Sequence, residues 1–258
     1  MFIYIFIYIV VLFAFLSNKD GNERSGFVLG AIMFALALFV GLADMLGGYD
    51  RYLYGELFDD VADSVRSGGS VYSLSIYNLY GKELGYIGLN YIISLFTANR
   101  YIFILLVTLI MYSLIFYSML KYTNRSPLVI ILFLGLWFFF TFTYLRQVLA
   151  AGIAWLAIQY MIDRKPIHFF AIVLLAFSFH NSVILFAPIY FLPQKKPKMG
   201  VVITIMIVCF AIGLINIAGG LFEQYGDITG QEQRMAMNME EPPGAFRIDY
   251  LLEAVVFL

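Results

Sequence analysis

Long apolar runs broken by short polar stretches set the pattern of this chain. Runs of spanning or near-spanning length cover 2–16, 26–46, 101–120, 127–145, 147–162 and 199–218. Each predicts a transmembrane helix, since about 20 apolar residues cross a bilayer. Two further runs are irregular. Residues 84–98 are short and spotted with polar side chains, and 167–192 are long but interrupted by His180-Asn181-Ser182 and Pro188. In 47–83 the period changes. Tyr54, Leu57, Phe58, Val61 and Val65 recur at helical spacing, with Glu56, Asp59, Asp60 and Asp63 opposite. That pattern predicts an amphipathic helix lying at the membrane interface. The expected fold is all-α: a polytopic transmembrane helix bundle forming one integral membrane domain over 1–258, with outer loops 47–83 and 219–247.

Composition agrees. Hydrophobic residues make up 62% and charged residues 13%, and the mean hydropathy is +0.86. A soluble domain of this length cannot hide that much apolar surface. The net charge of −1 gives no basic field for nucleic acid. The single cysteine, Cys209, excludes an internal disulfide and reads as a small core residue. Met1–Leu16 has no positive n-region and no small-residue cleavage pattern. It reads as a retained first span with its N-terminus outside, not as a signal peptide.

Charge then sets the topology. The short loops 17–25, 121–126, 163–168 and 193–198 are basic, through Lys19, Arg24, Lys121, Arg125, Arg164, Lys165, Lys195, Lys196 and Lys198. The positive-inside rule places all four in the cytoplasm, which leaves the acidic loops 47–83 and 219–247 outside. Loops 163–168 and 193–198 share a side only if 167–192 enters and returns. Each limb then has roughly 13 residues, about 20 Å of helix, too short for a ~30 Å crossing. The expectation is a hairpin of short helices or a re-entrant pair, turning near Phe179–Ser182. One tilted 26-residue helix over 167–192 fits the length equally and flips one basic loop. By the same logic 84–98 returns to the outer side. Irregular backbone at depth must be packed in protein or face water, so both segments point to a hydrated cavity open to the outside. Residues 127–162 are two passes with almost no loop, turning near Thr141–Gln147. The second pass carries a small-residue face, Ala150, Ala151, Ala154 and Ala157, suited to close helix packing.

Two polar points stand at depth in this scheme: Arg146-Gln147, and His180-Asn181-Ser182. Ionisable groups there are functional candidates. The outer loop adds Tyr72, Tyr77, Tyr80 and Tyr86, an aromatic belt or a platform for sugar rings. His168 and His180 are twelve apart with no cysteine pair, which gives no metal-ligand spacing. No P-loop, GxSxG or GxGxxG occurs, so no cofactor is expected.

The segments YLRQVLAAGIA and RKPIHFFAIVLLAFSFHNSVILFAPIYFL resemble the EpsG family, the Wzy-like polymerases of bacterial capsule, exopolysaccharide and O-antigen. The matching features are Arg146-Gln147, Arg164-Lys165-Pro166, Phe179-His180-Asn181-Ser182 and Pro188. Weaker ones are Asp50-Arg51-Tyr52 with Tyr54, Arg247-Ile248-Asp249-Tyr250, and Glu83-Leu84-Gly85-Tyr86, where the family tends to carry a proline after the glutamate. The resemblance implies a glycosyl transfer at the outer face of the bacterial inner membrane. An undecaprenyl-diphosphate-linked oligosaccharide is joined to another, with the lipid diphosphate as leaving group. It also implies a chain-length regulator as a candidate partner beside the lipid bilayer. In that chemistry Arg146 suits the diphosphate through its donor fork, against a snorkelling interfacial arginine. His180 suits a general base or a phosphate hydrogen bond, against a packed helix histidine. Asp50, Glu83 and Asp249 are candidate bases or acceptor-sugar contacts. Arg247 is a second cation, and Gln147, Asn181, Ser182, Arg51 and Tyr54 are further substrate contacts. Asn181 and Ser182 equally suit capping the second limb. Family members continue with further spans after the Arg-x-Asp segment. A sequence stopping at Leu258 within an apolar run is then expected to be a truncated form or fragment. The competing classes are a transporter or flippase of lipid-linked sugars, which should show repeat symmetry; a membrane sugar acyltransferase; and a non-catalytic subunit of a polysaccharide assembly system.

Overall fold

The computed structural model describes residues 5, 7–9, 11–12, 23–43, 49–70, 75–80, 83–123, 126–194 and 199–214. Among them every regular element is helical and no strand occurs. The chain divides into two compact units, Met1–Leu192 and Pro193–Leu258. The second contains one described helix, Met199–Leu214. Most of the expected first span, loop 219–247, Arg247 and Asp249 lie outside the described residues.

The spine of the first unit is an antiparallel pair, α1 (Glu23–Leu42) against the long helix Arg100–Tyr122, here α5. Gly26 faces Leu120, Gly30 faces Phe116 and Gly41 faces Leu105; a Cβ at Gly41 would stand 2.6 Å from Leu105 Cδ1. Small residues let the backbones approach closely, as membrane helices require. Asn99 starts α5 by accepting from the Tyr101 and Ile102 N–H groups at 2.9 and 3.4 Å, which satisfies two orphan donors. Phe103, Val107, Met111 and Ile115 line its buried face, while Ile102, Leu106, Ile110 and Leu120 stand exposed. Such an apolar outer stripe is costly in water and comfortable in lipid. Two helical stretches among the described residues are long and apolar enough to cross a membrane, Arg100–Tyr122 and Leu145–Ile162.

The amphipathic helix forms where its period predicts, as α2 (Tyr49–Ser67). Tyr54, Leu57, Phe58, Val61 and Ala62 are buried, while Glu56, Asp60 and Asp63 stay exposed. It packs on α5 and on α4 (Leu84–Ser94), with the short α3 (Ser75–Tyr80) between them in the chain. Phe58 stacks on Phe103 with centroids 4.3 Å apart, and Asp59 pairs with Arg100 at the start of α5. At eleven residues, α4 is about 16 Å long and too short to cross.

The two broken regions fold as hairpins. The first comprises α6 (Ser126–Leu132), a π-helical turn (Phe133–Trp137), α7 (Phe140–Thr143), α8 (Leu145–Trp155) and α9 (Ile158–Ile162). Tyr144 leaves the helical region at φ −102°, ψ 56°. Trp137 returns against Trp155 with centroids 5.1 Å apart, so the reversal falls inside the expected 141–147. The break between α8 and α9 has a definite cause. The Tyr122 hydroxyl accepts from Gln159 N–H at 3.1 Å and donates to Trp155 C=O at 3.2 Å. It occupies the place of one helical hydrogen bond.

In the second hairpin, α10 (Pro166–Phe177) leads through Ser178 and Phe179 to an extended His180 and a 3-10 helix, Asn181–Phe191. Pro166 opens α10, where its missing N–H is not needed. The limbs run back along each other. Phe169 meets Phe186 and Tyr190 at centroid distances of 6.0 and 5.1 Å. At the open end the Arg164 guanidinium donates to the carbonyls of Tyr190 and Leu192 at 2.7 and 2.9 Å. The single tilted helix over 167–192 is therefore not formed: His180 is extended and the chain turns back there.

Candidate functional site

The turn of the second hairpin is where the polar points meet. Ser178 C=O accepts from Gly85 N–H at 2.8 Å and from Tyr86 N–H at 3.3 Å. Gly85 N–H is a first-turn donor of α4 with no other partner shown, and Tyr86 N–H divides between Ser178 and the Glu83 C=O at 3.1 Å. The approach is so close that a Cβ on Gly85 would lie 2.3 Å from Ser178 Oγ and 2.9 Å from the Phe179 ring. A glycine at this position lets the start of α4 dock on the hairpin turn, and docking delivers Glu83 to it.

Glu83 is fully buried, and both carboxylate oxygens are used. Oε1 accepts from the Asn181 backbone N–H at 3.1 Å and lies 3.0 Å from His180 Nδ1. Oε2 pairs with Arg146 Nη1. Burial opposes the carboxylate charge most strongly. The His180 hydrogen bond, the Arg146 charge and the Asn181 N–H together outweigh it and hold the carboxyl below its ordinary value. An ionised carboxylate only accepts hydrogen bonds. His180 Nδ1 therefore carries the proton facing Glu83, and in the neutral ring Nε2 keeps its lone pair.

Arg146 lies in the first turn of α8, a position where the helix dipole disfavours a cation. Glu83 offsets that cost, and three tyrosines complete the surroundings. The guanidinium carbon is 3.6 Å from the Tyr80 ring centroid, 5.7 Å from Tyr54 and 5.8 Å from Tyr86. The three rings also contact one another, at 5.7 to 6.3 Å. This is a cation–π box contributed by α2, α3 and α4. The side chains of Arg146, Glu83 and His180 are 8%, 0% and 20% exposed. The hydrated cavity expected from the sequence is thus a packed junction whose accessible edge is His180. The cause is Glu83, whose two carboxylate oxygens take Arg146, His180 and the Asn181 N–H in place of water.

Several expected site residues fall elsewhere. Gln147 points outward and is exposed. Arg51 is buried, and its Nη2 donates to Val40 and Gly41 C=O at 2.6 and 3.2 Å, taking up the last carbonyls of α1. Asp50 is half-buried one turn before Tyr54 on α2, and its charge acts on the Tyr54 hydroxyl. Asn181 is buried in the junction and Ser182 is half-buried beside it. His180 stands at the N-cap of the 3-10 helix without a side-chain cap bond, and the remote Glu83 carboxylate takes the Asn181 N–H. Tyr80 and Tyr86, read as a belt or a sugar platform, box the arginine. Nothing local in the sequence marks Ser178 for this role; for Gly85 the sign is the Glu83-Leu84-Gly85-Tyr86 stretch. Among the described residues no group of three His, Cys, Asp or Glu side chains could hold a metal ion. A separate cavity of about 280 Å³ between α5 and the first hairpin is lined almost wholly by apolar groups such as Leu132, Trp137 and Trp155. None of the junction residues lines it.

No curated protein and no solved structure matches this chain. A family model, described as EpsG family, matches residues 27–241. That range contains Glu83, Arg146 and His180, and both helical stretches able to cross a membrane. The chain therefore belongs to the EpsG family, membrane proteins of polysaccharide biosynthesis with a polymerase-like role.

Proposed function

We propose that the protein is a membrane glycosyltransferase that polymerises undecaprenyl-diphosphate-linked oligosaccharide repeat units. It acts as a multi-pass protein of the bacterial inner membrane, with the site at the outer face. An acceptor sugar hydroxyl attacks the anomeric carbon of the donor chain. The bond from that carbon to the diphosphate oxygen breaks, and the lipid diphosphate leaves with the electron pair. The hydroxyl proton passes to His180 Nε2. Arg146 stabilises the charge that builds on the departing diphosphate, for which its planar fork is suited. The leaving group is already activated, so the step needs no nucleotide. A chain-length regulator and the bilayer are the proposed partners.

The observation that supports this reading best is the convergence of Arg146 and His180, remote in sequence, on one buried carboxylate. A cation for a leaving diphosphate and a base for a hydroxyl are the two groups the reaction asks for. The four-way packing of α2, α4, α8 and the hairpin turn holds both. The test is to incubate the purified full chain in lipid nanodiscs with a lipid-linked repeat unit and separate the products. A ladder of longer chains is expected from the wild type and none from His180→Ala. Absence of a ladder with the wild type, or a full ladder from His180→Ala, overturns the assignment.

A further inference from the structure

An anion site made from Arg146 is, in this structure, already occupied by an anion. Glu83 holds the guanidinium through Oε2, and with His180 neutral the cluster carries no net charge. Tyr54, Tyr80 and Tyr86 surround the arginine, so its paired charge is the Glu83 carboxylate. The one carboxylate therefore serves two partners whose tasks differ. Arg146 needs an anion; His180 needs an acceptor for its Nδ1 proton. A ligand phosphate can replace Glu83 at the first but not at the second, because His180 Nδ1 and Asn181 N–H both lie on Oε1, the oxygen away from Arg146.

We propose that Glu83 is the resting counter-ion of Arg146 and is exchanged for the phosphate of the ligand, so that anion binding releases Glu83 to act on His180 alone. The proposal rests on the reading of the site given above and adds an order of events. The donor diphosphate enters first, past the accessible edge at His180. It takes the guanidinium and leaves Glu83 hydrogen-bonded only to His180 and Asn181. The buried carboxylate then faces the imidazole alone through Nδ1, and it stabilises the charge that forms when Nε2 takes the hydroxyl proton. Glu83 is thus a positioning residue, not the base itself. Binding the diphosphate and readying the histidine become one event, and an empty site holds its arginine neutralised.

The consequence is a split that a merely structural glutamate would not produce. In Glu83→Gln the amide oxygen still accepts from His180 and Asn181, but its NH₂ group faces Arg146 and no longer competes for it. Binding of undecaprenyl diphosphate or inorganic pyrophosphate to the full chain in nanodiscs is then expected to tighten by about tenfold or more. Chain extension falls in the same variant, because the neutral amide does not stabilise an imidazolium. Asp60→Asn, on the exposed face of α2, changes neither quantity. If Glu83→Gln does not accumulate as folded protein, Glu83→Asp draws the charge back by one methylene and shifts both quantities in the same directions. Unchanged or weaker anion binding in a folded Glu83 variant overturns the exchange. Because binding is read without turnover, that result is separate from a wild type that binds diphosphate but makes no ladder, which defeats the polymerase reading alone.

Discussion

Among the described residues two arginines are buried, and the molecule holds them in opposite ways. At the corner of α1 and α2, Arg51 donates to the main-chain carbonyls of Val40 and Gly41. At the junction of α4, α8 and the second hairpin, Arg146 is held by a side-chain carboxylate and three aromatic faces. Carbonyls at a helix end are fixed dipoles that belong to the fold; an arginine engaged with them is a structural part. A carboxylate is a full charge on a rotatable side chain, and another anion can take its place. Burial alone does not distinguish a structural cation from a functional one. The kind of partner does.

The sharpest way to break this comparison is to remove each arginine. Arg146→Ala leaves Glu83 buried without its cation, with a stability loss of about 3–5 kcal/mol. It is expected to abolish chain extension even in the fraction that folds. Arg51→Ala leaves helix-end carbonyls short of a donor, a loss of about 1–3 kcal/mol. Thermal unfolding in nanodiscs with product analysis on the same samples separates the two. An activity loss in Arg51→Ala beyond its loss of folded protein would return Arg51 to the substrate path.

A second substitution tests whether the junction depends on docking. Gly85→Ala places a methyl group against Ser178 and Phe179. The strain is about 1–3 kcal/mol, and relief requires the start of α4 to withdraw and take Glu83 with it. Chain extension should drop more than stability does, and the anion should bind more tightly as Glu83 loosens from Arg146. A fall in stability with activity intact would show that the Gly85 contact is packing only.

The smallest effect is in pH. The Glu83 carboxyl is held below its ordinary value near 4.5, so its stabilising contribution is present above the unfolded value and lost as pH falls through the depressed folded one. The stability difference between wild type and Glu83→Gln should be constant at neutral pH and shrink only on acidification below the ordinary carboxylate range. The Val40 and Gly41 carbonyls that take Arg51 do not titrate, so the stability they supply has no such limb. Parallel pH profiles for the two variants would remove the distinction.

Much of the architecture was legible from local pattern. The 3.6-residue period of Tyr54, Leu57, Phe58 and Val61 gave α2, and an apolar run of full length gave α5. His180-Asn181-Ser182 in an otherwise apolar segment marked the turn of the second hairpin, because polar residues interrupt an apolar helix there, while Pro188 falls within the 3-10 limb that follows. Arg146 and His180 stood out as candidates for the same reason, being polar where the surroundings are not. Glu83 did not stand out equally. It sits in a polar loop, where a carboxylate normally meets water, and nothing local marks it as the most buried charge of the described chain. The break at Trp155–Ile158 was also invisible, since its cause is the hydroxyl of Tyr122 on another helix.

The sequence by itself determined that this is a helical membrane protein and where most of its helices run, and it offered a turn near Phe179–Ser182 as one of two arrangements of 167–192. Those properties follow from hydropathy and period, which act over a few turns. The tertiary structure alone decided which charges meet. Glu83 lies 63 residues from Arg146 and 97 from His180. Pairing over such separations depends on how α4 docks on the hairpin turn, and that is set by the missing side chain of Gly85 and by one carbonyl, Ser178. A buried ion pair is stable only when both partners arrive together. The chain's pattern names the partners singly, and packing joins them.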